Sequence, residues 1–150
     1  MKKIIFFLVL LSSLACKAEY ISLLSFGPHY FYAFDKQSGE WWGPEVTEDI
    51  ITMVNIHDYE GAKYIAIKFG DGYFTKYYIH YKSKPLEESK NQKTFIYNCV
   101  GEDNLKYIIK ATLYEYQDDI KFSLMQPNNF EIIIMMSVVD YSEDKSRFAK

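Results

Sequence analysis

Turn-forming residues interrupt this chain about every eight to fifteen positions, and that spacing constrains its fold more than any other feature. Between the interruptions lie short runs of Ile, Val, Tyr, Phe and Thr, which are the residues that favour strands. No apolar period of 3.6 residues persists long enough to indicate an amphipathic helix. Short loops join antiparallel neighbours, because parallel strands need long crossover connections. The pattern predicts an all-β fold.

The predicted strands form a single antiparallel meander of about seven to nine strands. They span residues 20–26, 29–34, 50–57, 63–69, 73–82, 94–100, 105–114, 120–125 and 130–139. The connection 83–93 is polar, and its segment 86–90 has enough helical propensity for one turn. A sheet of this size would expose its edges and one apolar face, so we expect it to close into a small barrel or a sandwich.

The last predicted strand, 130–139, is apolar on both faces. Either the N-terminal strands cover its outer face or that face forms a subunit contact. Large exposed apolar patches are uncommon on monomers, so we expect the N-terminal strands to provide the cover.

Residues 1–18 have the order of an export signal. Lys2 and Lys3 precede the apolar run 4–11, and small or weakly polar residues follow. The run is too short to span a bilayer, which takes about 20 apolar residues, and no later segment predicts a transmembrane helix. We therefore expect a signal peptide over 1–18, an all-β domain over 19–140 and a charged, frayed tail over 141–150.

The position of signal cleavage has three alternatives. Ser13-Leu14-Ala15 and Cys16-Lys17-Ala18 both carry small residues where a signal peptidase requires them. The stretch 11–16 also resembles a bacterial lipobox, which implies lipid attachment at Cys16. We expect a periplasmic or secreted protein, with a lipid anchor in the outer membrane as the second alternative.

Composition argues against nucleic acid as a partner. Removal of residues 1–18 takes away three lysines and no acid, which leaves 14 basic against 20 acidic residues and a net charge of −6. Only Arg147 supplies the guanidinium that grips phosphates in bidentate fashion. Cys99 alternates with apolar residues in its predicted strand, which indicates a buried, unreactive thiol.

No familiar catalytic or metal-binding pattern is present. The three histidines, His29, His57 and His80, have no close spacing, and the acidic residues cluster in turns, where they commonly bond to the backbone. We therefore predict no catalytic residues, no metal and no cofactor. The enzymatic alternative is a small glycan hydrolase that uses two of the turn carboxylates.

Aromatic residues, at 18% of the chain, are more numerous than one small core requires. Tyrosine and tryptophan often anchor surfaces that bind proteins or glycans. If Tyr64, Tyr78 and Tyr114 are exposed together, they would form such a surface. If the barrel instead encloses a small apolar ligand, the inward residues would line it. Those residues are Ile65, Ile67, Tyr77, Ile79, Tyr107 and Ile109, of which Tyr77, Ile79, Tyr107 and Ile109 are the predicted ligand-binding set.

Gly39-Glu40-Trp41, followed by strands joined through short hairpins, resembles the start of lipocalin-like (calycin) β-barrels. The resemblance extends over about residues 39–139. It implies that Trp41 is structural and packs across the closed end of the barrel, and that the interior holds a small apolar ligand. The structural arginine of that family has no counterpart here.

Phe95-Ile96-Tyr97-Asn98-Cys99 is similar to the Tyr-x-Cys strand of the periplasmic inhibitors of animal lysozymes, which are also small β-barrels. That similarity implies inhibition of a host or rival cell-wall hydrolase, and it assigns no site residue. Taken together, the sequence predicts an exported, non-enzymatic binding domain. Its partner is either a small apolar ligand inside the barrel or a protein or glycan on an aromatic face.

Overall fold

The structure is a computed structural model that describes residues 19–83, 86–89, 91–114 and 119–142. Eleven β-strands and no helix occupy these residues. The strands are β1 (Glu19–Ser25), β2 (Tyr30–Asp35), β3 (Glu40–Val46), β4 (Thr52–Tyr59), β5 (Ala62–Phe69), β6 (Thr75–Lys82), β7 (Leu86–Ser89), β8 (Gln92–Gly101), β9 (Lys106–Tyr114), β10 (Asp119–Met125) and β11 (Phe130–Ser142). The predicted all-β class is confirmed.

Eight of the strands close into an antiparallel barrel. Their order is β1-β4-β5-β6-β8-β9-β10-β11, and β11 pairs again with β1 to complete the wall. Tyr20 stands opposite Ser142 and Leu24 opposite Ser137 in this closing pair. Closure removes the exposed edges that an open sheet would have. Of the two predicted architectures, the structure has the barrel.

Strands β2 and β3 extend the wall beyond one end of the barrel. The first residues of β11 pair with β2, where Phe130 stands opposite Ala33. The later residues of β11 pair with β1. Strands β1 and β2 therefore pair with the same edge of β11, one after the other. On their other edges, β1 pairs with β4 and β2 pairs with β3. Four segments connect barrel strands at this end, and we call it the hairpin end. These connections are 26–51, which includes β2 and β3, and the turns 70–74, 101–105 and 126–129. The opposite end, where β1 begins and β11 finishes, is the terminal end.

The inward-facing side chains of all eight barrel strands form a single apolar cluster. Every barrel strand contributes to its nineteen buried residues, which alternate with outward-facing ones as the pleat of a strand requires. The largest fully buried members are Tyr97, Phe95 and Phe122. A barrel of eight strands has an interior that its own side chains can fill or that can hold one small ligand.

Two strands, β3 and β7, exceed the predicted number. Segment 86–90, where one helical turn was expected, instead contains β7. This strand pairs with β8, and Leu86 stands opposite Thr94. That expectation was wrong because a segment of four residues is too short for local propensity to decide between a helical turn and a strand, and the pairing with β8 decides it. Strand β3 was not predicted because all seven of its residues are exposed, so its sequence has no alternation of apolar and polar residues.

The outer face of β11 is not covered in the expected manner. Strands β1 and β2 pair with the edge of β11 through backbone hydrogen bonds, so they do not lie over its outward side chains. Met135 and Val139 on that face are 38% and 55% exposed. The expectation of cover by the N-terminal strands was wrong, and the subunit contact stays a prediction.

Several sequence predictions concern residues outside the described ones. The signal peptide over 1–18, with Cys16 and the cleavage alternatives, is among them. Strand β11 continues to Ser142, two residues past the expected boundary, and positions 143–150 of the predicted tail also lie outside. Within the described residues there is no helix that could span a membrane.

Candidate functional site

The four residues predicted to bind a ligand lie together inside the barrel. Tyr77 and Ile109 are buried in the core cluster, and Ile79 and Tyr107 are partly buried against it. The rings of Tyr77 and Tyr107 meet edge to face, with centroids 4.8 Å apart. This arrangement suits aromatic quadrupoles and is typical of core packing. The structure thus brings the predicted set together, as neighbours in one packed cluster.

A polar pair lies at each end of this interior. At the terminal end, the Lys82 ammonium lies 3.2 Å from a carboxylate oxygen of Asp58. The same ammonium lies 5.6 Å from the ring centroid of Phe95 and 5.5 Å from that of Tyr97. At the hairpin end, the hydroxyl of Tyr107 donates a 2.6 Å hydrogen bond to Asp103. The Lys82 ammonium thus has a carboxylate partner, and the Asp103 carboxylate has a hydrogen-bond donor.

The hydrogen bond from Tyr107 also perturbs both partners. It is the main cause that raises the pKa of Tyr107 to about 12 and lowers the pKa of Asp103. Both shifts disfavour proton transfer near neutral pH, because the phenol stays protonated and the carboxyl stays ionised. The pair is therefore suited to holding the 101–105 turn, and not to acid–base catalysis.

Packing fixes the positions of the buried cysteine and the buried histidine. Burial raises the pKa of Cys99 to about 12, which keeps the thiol protonated, as the sequence predicted for an inert residue. His29 lies in the bend between β1 and β2, where its Nε2 is 2.7 Å from the hydroxyl of Thr52. Its ring packs edge to face on Phe69 at 5.5 Å. These contacts fix the bend of the chain.

The turn carboxylates bond locally, as expected for acids in turns. Asp35 accepts hydrogen bonds from the backbone N–H of Gln37 and from the hydroxyl of Ser38. Asp103 accepts one from the backbone N–H of Leu105. Among the described residues, no group of three or more His, Cys, Asp or Glu side chains is placed to hold a metal ion.

Aromatic rings also form a row on the outer wall. Tyr20, His57, Tyr64 and Tyr78 stand directly opposite one another across β1, β4, β5 and β6. His57 stacks on Tyr64 at 4.4 Å, and the ammonium of Lys76 lies 5.0 Å from the centre of the Tyr64 ring. The ring faces are thus occupied by one another and by a lysine, as in cross-strand pairs that stabilise a sheet.

Tyr114, the third member of the predicted aromatic face, is not part of this row. It stands opposite Gln92 on β8, whereas Tyr78 stands opposite Val100. Eight residues along one strand correspond to roughly 26 Å. Tyr64 and Tyr114 are half-buried, and only Tyr78 is strongly exposed. The three side chains therefore do not form one exposed surface.

The exposed hydrophobic side chains concentrate instead at the hairpin end. Of the fourteen large hydrophobic side chains that the described residues expose, nine belong to the connections at this end or border them. They are Phe26, Trp41, Trp42, Val46, Ile51, Tyr73, Phe74, Leu105 and Phe130, which together we call the hydrophobic rim. Single exposed hydrophobic residues are ordinary, but nine at one end of a small barrel indicate an interaction surface.

Strand β3 carries the two tryptophans of the rim. Trp41 and Trp42 are 48% and 62% exposed, and the ring of Trp41 rests against Phe34 at 5.3 Å. Trp41 was expected to pack across the closed end of the barrel. The structure places it on β3, which extends beyond one end of the eight-strand barrel, so that expectation about its position was wrong. A structural role for Trp41 stays a prediction.

Glycine shapes the strand that presents these rings. Gly43 has φ +125°, and a side-chain carbon there would lie 2.6 Å from the backbone oxygen of Phe31. No residue with a Cβ fits this position without moving the chain. Gly43 and Pro44 together oppose Tyr32, at the point where the β2–β3 register shifts. The resulting bulge sets the direction in which β3 leaves the barrel.

Backbone hydrogen bonds tie the connections of the rim together. The N–H of Gly70 donates to the oxygen of Ile51 at 2.7 Å, and the N–H of Phe34 donates to the oxygen of Asn129 at 3.0 Å. The N–H of Lys76, where β6 begins, donates to the side chain of Glu102 at 3.4 Å. These hydrogen bonds therefore hold neighbouring connections of the hairpin end together.

The same end is strongly acidic. Its four connections contain eight carboxylates and one lysine, Lys36. The acids are Asp35, Glu40, Glu45, Glu48, Asp49, Asp71, Glu102 and Asp103. Lys68, Lys76 and Lys106 lie on the adjoining strand ends and leave the balance negative. The hairpin end therefore combines exposed apolar side chains with a negative surround.

Of the rim residues, only Trp41 has a role predicted from the sequence, and that role is a structural one in the barrel. The available signal was the adjacency of Trp41 and Trp42, since successive residues of a strand point to opposite faces and cannot both enter one core.

Comparisons of the chain with protein-family models, with curated proteins and with solved structures give no match.

Proposed function

We propose that this protein is an exported, non-enzymatic binding protein that recognises another protein through its hydrophobic rim. The observation that carries the proposal is the gathering of nine exposed hydrophobic side chains at one end of the barrel, on connections that hydrogen bonds hold together. Protein interfaces are enriched in tryptophan, tyrosine and phenylalanine at their centres, and these residues supply most of the binding energy.

The packing of the interior supports surface recognition over an enclosed ligand. A carrier needs a cavity lined by the inward residues, and here those residues contact one another in a single cluster. The aliphatic members of the rim, Val46, Ile51 and Leu105, favour a protein partner over a glycan. Sugars stack on flat aromatic rings, whereas branched aliphatic side chains need apolar surface opposite them.

A matched pair of substitutions tests the proposal. Trp42→Ala removes a rim side chain that is 62% exposed, and Tyr81→Ala removes one on the barrel wall that is 61% exposed. Neither change should alter stability by more than about 1 kcal/mol, because neither side chain is in the core. Immobilised wild-type protein and both variants are incubated with the envelope and medium fractions of the exporting cell. Retained proteins are then identified by mass spectrometry.

We expect wild type and Tyr81→Ala to retain the same partner, and Trp42→Ala to lose it. The purified partner should then shift the tryptophan emission of this protein to shorter wavelength, because both tryptophans lie in the rim. Equal retention by all three proteins would overturn the proposal. So would a captured partner whose binding leaves the environment of both tryptophans unchanged.

A further inference from the structure

We infer that the partner of the hydrophobic rim is a cationic protein, one that presents a basic margin around an apolar patch. This inference rests on the proposed function and adds the charge of the partner to it. It follows from the eight carboxylates and single lysine of the four connections that carry the rim.

The placement of the acids resembles the margin of a protein interface. Glu40 and Glu45 flank the tryptophans on β3, and Glu48 and Asp49 precede Ile51. All four carboxylates are exposed. Interfaces commonly place apolar side chains at the centre and charged ones around it, where complementary charge steers the encounter. Acids alternating with exposed apolar residues therefore select a partner with basic side chains around an apolar centre.

Charge also argues against three other occupants of this surface. A nucleic acid or an anionic bilayer would be repelled by the carboxylates. A second copy of this chain, joined end to end around a two-fold axis, would place the two acidic surrounds opposite each other. A neutral lipid surface would gain nothing from the acids and would have to desolvate them. Only a cationic partner uses both the apolar and the acidic components.

Two double variants with equal net charge separate local from global charge. Glu48→Gln/Asp49→Asn neutralises two exposed acids beside the rim. Glu60→Gln/Asp119→Asn neutralises two exposed acids at the terminal end. Each variant loses two negative charges, so any difference between them reports the position of the charge and not its total.

The probes are lysozyme and cytochrome c as cationic proteins, α-lactalbumin as an acidic protein with the fold of lysozyme, and phosphatidylcholine vesicles. Binding to the immobilised full-length mature protein is measured by surface plasmon resonance. The first series uses an ionic strength of about 10 mM, where the Debye length is about 30 Å, and the second uses about 150 mM. Trp42→Ala and Tyr81→Ala are included in both series.

We expect both cationic probes to bind at low ionic strength, with at least about tenfold weaker binding at the higher one. Glu48→Gln/Asp49→Asn should weaken binding about fivefold and Glu60→Gln/Asp119→Asn less than twofold. The weaker binding of Glu48→Gln/Asp49→Asn should come mainly from a lower association rate constant. Trp42→Ala should also weaken binding, whereas Tyr81→Ala should not.

Several outcomes would overturn the inference. They are equal effects of the two double variants, equal binding of α-lactalbumin, binding of vesicles in place of proteins, and no binding of either cationic probe. The proposed function fails on a different result, which is retention of the captured partner by Trp42→Ala. If Trp42 governs capture and the acids near it do not, the rim is the binding surface and its partner is not selected by charge.

Discussion

Replacement of Ile109 by alanine measures how completely the barrel interior is filled. Ile109 is fully buried on β9 among inward side chains from neighbouring strands. The change removes three carbon atoms, worth about 2.4 kcal/mol at about 0.8 kcal/mol per buried methylene. A residual cavity in a tightly packed site adds to this loss, so we expect a destabilisation of about 3–4 kcal/mol. In thermal unfolding this corresponds to roughly 10 °C.

The neighbouring residue on the same strand provides the control. Ile108 faces outward and is half-buried, so Ile108→Ala should cost about 1 kcal/mol. Both variants are unfolded in urea and followed by far-ultraviolet circular dichroism, with equal slopes required for the comparison. A loss below about 1 kcal/mol for Ile109→Ala, no greater than that for Ile108→Ala, would refute the packed interior. An enclosed apolar ligand would then regain its support.

Two further predictions concern ionisable groups. Burial lowers the pKa of both His29 and His57, so the unfolded chain takes up protons first as the pH falls through about 6.5. Stability should therefore fall between pH 8 and pH 5, and His29→Gln/His57→Gln should flatten that dependence in urea titrations. The lowered pKa values of Asp35 and Asp103 act only at more acidic pH, below about 4. Cys99, with its pKa raised to about 12, should resist a thiol reagent at pH 8 until denaturant unfolds the barrel, and rapid native labelling would contradict its burial.

Local patterns predicted the barrel wall well because the pleat forces side chains to alternate between core and solvent. In β5, Ile65 and Ile67 are buried, and Tyr64 and Lys68 are more exposed. The pattern is less informative where both faces are apolar, as in β11, or where neither is buried, as in β3. Whether such a segment forms a strand, and which of its faces is buried, depends on neighbouring strands that are in place only in the closed sheet.

The rim was harder to predict because its members are distant in sequence. Phe26, Tyr73, Leu105 and Phe130 each stand in or beside a separate turn, where one exposed hydrophobic residue carries no signal. Antiparallel closure brings alternate turns of the chain to the same end of the barrel, and only then do these side chains form a surface. The acids beside them were visible in the sequence, and turn chemistry explained them equally well.

Pairing of β1 with β11 has a consequence for when this protein can fold. The first strand has two partners, β4 and β11, and the second of these lies at the far end of the described chain. While the chain emerges residue by residue, from a ribosome or through a membrane pore, the wall stays open until the final strand arrives. Contacts between such distant segments make folding slow. The export proposed above would use that delay, because translocation requires an unfolded chain and the barrel cannot close before its last strand is available.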